Sequence, residues 1–291
     1  MSHFSSALVA GRLLGLDADA LTRAQGIAAS TAGGVQVFLE EGAWTKRLHP
    51  GWGAVAGITA ATLAKNGFFG PSRAYEGRFG LFETHLQEHA AEVDLGRITA
   101  GLGTAWELPD TSIKPYPICL YGKLKPTSDS LAEVRVRIPR DTLPIVAEPV
   151  VVKTAPANDY DAKFSAQYVV ATCLLKGRIG LAELEPEARN DAVVLALARR
   201  VVVEADAESG YPKYMSGGVS LITADGRRHD EYVPINNGSG ERALDADGIA
   251  DKFFASAVLT VSHAKSVRVR DAILALETIQ VAELAAALRR D

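Results

Sequence analysis

Cysteine is scarce in this chain: 291 residues contain only Cys119 and Cys173. That count excludes a disulfide scaffold, and both read as reduced thiols of a cytoplasmic protein. An excess of either charge is also missing. Thirty-one basic and 35 acidic residues give a net charge of -4 and a pI near 5.9, so no nucleic-acid partner is expected. With 47% hydrophobic residues, so small a net charge excludes disorder as the main state. Long apolar runs are absent. Residues 52–63 contain glycine and threonine and fall short of the roughly 20 apolar residues of a membrane helix. Residues 1–16 lack the basic start and small-residue cleavage site of a secretory leader. No membrane partner is therefore expected. No GxGxxG follows a strand, and neither a Walker lysine pattern nor a GxSxG elbow occurs, which argues against nucleotide and cofactor-dependent redox chemistry.

What is present is a chain long enough for one or two domains and a sizeable core. The first third reads as helical. Residues 7–14 are rich in Ala and Leu and stop at Gly15. Asp17 stands as an N-cap before an Ala-rich run over 18–31. A third helix of small residues covers 51–64 and closes at Asn66-Gly67. Helices so rich in small residues pack close together. The middle third differs. Prolines punctuate it, and EVRVRI at 133–138 alternates as a half-buried strand does. Residues 149–153 read as a second β run, 161–176 and 185–199 as helices, and 200–205 and 219–223 as strands. Asp225-Gly226 turns the chain into a strand over 228–233. This is an α+β unit, expected to hold an antiparallel sheet. The NNGSG run at 236–240 reads as a linker. Helical spacing then returns over 246–257, 266–275 and 281–288. The expected fold is mainly α plus α+β. Residues 1–110 and 240–291 form a helical domain, and 111–239 form an inserted α+β lid.

The densest chemical candidate is GAWTKRLHPGW at 42–52. It sets Lys46, Arg47 and His49 within four residues, between Gly42 and Pro50-Gly51, in an expected irregular segment between helices. Cations in a cleft suit a substrate with several carboxylates, and His49 or a desolvated Lys46 can move a proton. The plain alternative is a solvated basic loop with Trp44 and Trp52 as core anchors. The second candidate is KPYPICLYGK at 114–123. Its prolines stiffen a stretch carrying Lys114, Tyr116, Cys119 and Lys123 where the α+β unit begins. The alternative there is a stiff interdomain crossing with a buried thiol. Residues 76–80 read as a tight turn or a further cleft wall. His85 and His89 lack a third ligand for a metal.

Three runs carry a resemblance: residues 10–30, residues 42–71 and YEGRFGLF at 75–82. They continue through KPYP and through DAKFSAQYVVATCLLKGRIGLAEL at 161–184. Over nearly its whole length the chain resembles the MmgE/PrpD family, most specifically in TKxLHxG and KFSxxY…LLxGRxGL. The resemblance implies a helical domain built from both chain ends with an inserted α+β lid. It implies a site in the cleft between them, small di- or tricarboxylate substrates such as 2-methylcitrate, no cofactor, no metal and homodimers. By that likeness Lys46 is the family's active-site lysine, a carboxylate binder or proton donor, and His49 is the motif histidine. Arg47 and Lys114 join Lys46 as substrate-binding candidates.

At the lid entrance, decarboxylase members carry a histidine two residues after the second proline, where this chain has Cys119. Many dehydratase-like members carry one four residues later, where it has Lys123. Neither histidine is present, which points away from a close decarboxylase and leaves Tyr116, Cys119 and Lys123 as lid candidates. The family also carries a helical region ahead of the segment matched at Met1, holding an aspartate, a threonine and a histidine of the site. The expectation is a chain lacking it, served by a homodimer partner or a complementing N-terminal half. The expected activity is dehydration of a di- or tricarboxylate. The alternatives are an epimerase or decarboxylase on a related acid, or a non-catalytic carboxylate-binding or partner-binding paralogue.

Overall fold

The computed structural model describes residues 1–116 and 131–289. It divides into two compact units, Met1–Trp106 and Glu107–Asp291.

The first unit is helical. Its helices are α1 (Ser2–Leu13), α2 (Ala18–Ala29), α3 (Phe38–Glu41), α4 (Thr45–Lys65) and α5 (Leu81–Leu86). Asp17 caps α2 as its sequence position predicts, accepting from the Ala20 amide at 2.8 Å. The expected close packing of small residues is present. A Cβ built on Gly57 of α4 meets Ser6 Cβ at 2.4 Å and the Ala7 nitrogen at 2.6 Å, and one on Gly26 of α2 meets the Pro71 carbonyl oxygen at 1.9 Å. The buried face of α4 is accordingly Gly53, Ala56, Gly57, Ala60, Ala61 and Ala64. Phe4, Ala7, Ala28 and Ala60 make the small core.

Among its described residues the second unit carries a 3-10 turn at Leu108–Asp110, then β1 (Leu131–Ile138) and the short helical turns α6 (Leu143–Val146), α7 (Val150–Lys153) and α8 (Asp159–Lys163). There follow α9 (Ala166–Lys176), α10 (Pro186–Arg189), α11 (Ala192–Ala198), β2 (Val201–Ala205), β3 (Gly217–Thr223) and β4 (Arg228–Val233). Helices α12 (Ala246–Ala257), α13 (His263–Leu274) and α14 (Val281–Leu288) end the described chain.

The sheet runs β2-β1-β3-β4. It is mixed rather than antiparallel: β1 pairs β2 in parallel, with Val136 opposite Val203, and β3 antiparallel, with Val136 opposite Val219. The helices between β1 and β2 make the long crossover that a parallel return requires. Alternation in EVRVRI does what it predicts. Val134, Val136 and Ile138 enter the core with Tyr168, Val169, Leu174 and Val194. Arg135 lies on the other face, 2.7 Å from Glu133 and 3.7 Å from Glu204 across the strand pair.

Three element readings change. Residues 150–153 form a helical turn instead of a β run, closed by Thr154 N–H to Val150 at 2.9 Å. They pack beside α8 and α9, and that context overrides the β preference of three valines. The helix expected over 161–176 breaks at Ser165, whose hydroxyl accepts from the Tyr168 amide at 2.9 Å and starts α9 afresh. The helix expected over 185–199 breaks at Asp191 for the same reason. Its carboxylate accepts from the Val193 amide at 2.9 Å.

Candidate functional site

The basic segment is not an irregular loop. Gly42, with φ +64°, closes α3 in the left-handed conformation, and α4 already begins at Thr45. Lys46 and Arg47 therefore lie on its first turn and His49 on its second. Pro50 sits inside the helix. It lacks the N–H that would meet the Lys46 carbonyl and its ring crowds that carbonyl, yet its φ is helical and α4 continues through it to Lys65.

Three residues of separation put Lys46 and His49 on one side of α4. Both meet Phe38, which α3 delivers and which is 4% exposed. The Lys46 Nζ stands 6.0 Å from the ring centroid, in cation–π range, and the His49 imidazole meets the same ring edge-on at 5.6 Å and 69°. Behind the imidazole runs the Gly34 backbone. A Cβ there would stand 3.6 Å from His49 Nδ1 and Cε1. The ring is half-buried and held on two sides, while Lys46 and Arg47 are exposed. Arg47 turns away and stacks its guanidinium over Trp44 at 4.7 Å. Trp44 and Trp52 are 65% and 51% exposed, so they are not core anchors. They belong to the outer face of the same helix start.

The result is an ammonium and a neighbouring guanidinium at the positive end of a 21-residue helix, beside an imidazole oriented by an aromatic ring and a bare backbone. Such an arrangement attracts carboxylates and keeps a proton carrier next to them. Phe38 is the member that sequence reasoning misses. A single phenylalanine after Gly33-Gly34 carries no motif, and only the fold shows that both side chains rest on it.

The second candidate group lies in the other unit. Lys114 is exposed, and Tyr116 is half-buried and packed against that unit's core. Cys119 and Lys123 lie outside the described residues. Cys173 is a buried free thiol whose pKa burial pushes up to about 12, so it is no nucleophile at neutral pH.

A cavity of about 390 Å³ opens elsewhere in the first unit, lined by Arg73, Glu76, Arg78, Phe79 and His85 among others. The 76–80 turn is thus a cavity wall, yet neither Lys46 nor His49 lines this cavity. Its largest aromatic, Phe79, is 81% exposed under the Arg78 guanidinium. Among the described residues no group of three His, Cys, Asp or Glu side chains is placed to hold a metal ion, and no helix is long and apolar enough to cross a membrane.

This helical unit followed by an α+β unit corresponds to two matched domains. Residues 1–94 match the MmgE/PrpD N-terminal domain and residues 119–278 the MmgE/PrpD C-terminal domain. The chain belongs to the MmgE/PrpD family. It is 24% identical over 303 residues to the cis-aconitate decarboxylase-like protein oryM of Aspergillus oryzae, covering 97% of this chain and 62% of that protein. It is 26% identical over 269 residues to the cis-aconitate decarboxylase of Homo sapiens, covering 87% of this chain and 54% of that one. The chain thus spans less than two thirds of the length of either relative.

Proposed function

We propose that this chain serves a cofactor-independent lyase of the MmgE/PrpD type, a hydro-lyase acting on a small di- or tricarboxylate such as 2-methylcitrate. The observation that carries the reading is the pairing of Lys46 with His49 on one buried ring, at a cationic helix start, in a member of this family. In the reaction a base removes the proton from a carbon next to a carboxylate. The electron pair becomes a carbon–carbon double bond, the neighbouring C–O bond breaks, and the hydroxyl leaves as water after receiving a proton. Lys46 and Arg47 bind carboxylate, and Lys114 is a further carboxylate-binding candidate. His49 is the proton carrier held in place, and Tyr116, Cys119 and Lys123 supply the remaining proton-transfer candidates. Residues 1–110 with 240–291 serve as the helical domain and 111–239 as the lid.

Decarboxylation is the second reading, because both relatives carry cis-aconitate decarboxylase names. Assembly with a second copy, or with complementing helices, accompanies either reading. Leu8, Val9 and Leu13 of α1 and Leu48, Trp52 and Val55 of α4 are all exposed, and an apolar face of this kind favours a partner.

The test is turnover of a panel of acids, with 2-methylcitrate, citrate and cis-aconitate included. The ultraviolet absorbance of an unsaturated product reports dehydration, and released carbon dioxide reports decarboxylation. Lys46→Ala is expected to lower kcat/KM by about two orders of magnitude. If neither the chain alone nor the chain joined to the remainder of its relatives' length turns over any acid, the enzymatic reading fails.

A further inference from the structure

We propose that the 236–240 loop is the positioning element for Lys114: Gly238 and Ser239 fix the backbone that carries this lysine. The proposal rests on the reading of Lys114 as a carboxylate-binding residue.

The NNGSG composition predicts a linker, but the loop is a tight docking element within the second unit. The Ile113 amide donates to the Gly238 carbonyl at 2.9 Å. Gly238 has φ +88°, and a Cβ on it would fall 1.9 Å from the Ile113 carbonyl oxygen and 3.5 Å from Pro115 Cδ. Only glycine permits both that conformation and that approach. One residue on, the Ser239 hydroxyl donates to Ser112 Oγ at 2.6 Å and accepts from Asn236 Nδ2 at 2.6 Å. Asn236 Oδ1 in turn accepts from the Met215 amide at 2.9 Å. Asn236 and Ser239 are 3% and 4% exposed, so this polar chain is shielded from water and costly to break.

Residues 112 and 113 are thus tied to the loop, and Pro115 adds a ring-fixed φ beside it. Tyr116 packs on the core. Lys114 is an exposed side chain carried on this held backbone. Fixing the Cα and Cβ of a lysine removes the backbone part of the entropy lost on binding and fixes the point from which the ammonium reaches. The other end of the loop is held as well, because Gly240, with φ +50°, lies under the Tyr214 ring.

The experiment compares wild type with Gly238→Ala, Ser239→Ala and Ser239→Thr by two readouts. One is amide hydrogen exchange of the peptide containing Ile113. The other is the pH dependence of Lys114 acetylation by limiting acetic anhydride, quantified by mass spectrometry with the exposed Lys65 as internal reference and repeated with excess citrate. Gly238→Ala and Ser239→Ala should speed Ile113 exchange by about fivefold or more. They should also shift the Lys114 labelling profile against an unchanged Lys65, and Ser239→Thr should restore both. Citrate should slow Lys114 labelling in wild type and lose that effect in Gly238→Ala. If Gly238→Ala fails to fold, the Ser239 pair decides. Unchanged exchange and labelling in folded variants overturn the proposal. Altered labelling without citrate protection in wild type supports the positioning role and overturns the carboxylate reading instead.

Discussion

Gly57 decides how closely α1 and α4 approach. In an exposed helix a Gly-to-Ala change gains about 1 kcal/mol. Here the added methyl would enter a space already filled by Ser6 Cβ and the Ala7 backbone nitrogen. Overpacking of that kind costs about 1–3 kcal/mol, so the clash outweighs the propensity gain. Gly57→Ala is expected to destabilise the helical unit by about 1–2 kcal/mol, read as a lower urea midpoint at unchanged slope. An unchanged or higher midpoint would show that the two helices can separate without penalty. Cys173 gives a second prediction at this scale. Burial, and next the nearby Glu183 charge, raise its thiol pKa. Iodoacetamide at neutral pH should leave its peptide unmodified in the native protein and label it in 6 M guanidinium, as peptide mapping would show. The Ser165–Tyr168 pair explains the KFSxxY part of the most specific motif in the chain. Ser165 starts α9 and donates to the Lys153 carbonyl at 2.5 Å, and the buried Tyr168 hydroxyl donates to the Glu183 carbonyl at 2.5 Å. That part of the motif encodes folding, while TKxLH encodes the candidate site.

At the scale of elements, helix starts carry much of the second unit. Asp191 caps α11 and pairs with Lys176 at the end of α9, at 2.8 Å. The Lys176 hydrogen bond, followed by the Val193 amide, holds its carboxyl below the usual range. A depressed folded pKa stabilises the fold above the unfolded value and loses that contribution as pH falls through the folded one. Asp191→Ala should therefore cost about 1 kcal/mol near pH 7. The gap to wild type should narrow below about pH 4, and Asp191→Asn should retain most of the cap. Denaturant midpoints at pH 7 and pH 3 check this, and a gap that does not change with pH would contradict it. The same element shows what sequence conveys and what it hides. Strand alternation in EVRVRI, the Asp17 cap, the Asp225-Gly226 turn and the last helix at 281–288 are local signals, and the structure repeats them. The breaks at Ser165 and Asp191 are hidden, because a capping side chain inside an apolar run resembles an ordinary helical residue until its hydrogen bonds are seen. The parallel β1–β2 pairing is hidden because register and direction are set by the crossover, not by either strand. Pro50 gives a false boundary, since α4 runs through it from Thr45 to Lys65 despite the lost hydrogen bond and the ring's crowding of the preceding turn.

For the whole molecule, the two matched domains define the family, and the candidate chemistry is legible in part. Lys46, Arg47 and His49 could be read from spacing, and their family motif gave them weight. The ring that organises Lys46 and His49 could not, because Phe38 comes from a different element. The grip of the 236–240 loop on residues 112–113 could not either, because more than 120 residues of chain separate the partners. Both are tertiary facts, and both concern how a cation is held rather than which cation it is. The central claim is that Lys46 binds a carboxylate at the start of α4. Its most direct measurement is isothermal titration of citrate into wild type and Lys46→Ala at low and moderate salt. The account predicts saturable binding to wild type that weakens as salt rises, and a Kd raised about tenfold or more in Lys46→Ala. Equal affinity in the two proteins, or no binding to wild type at any salt, would contradict it.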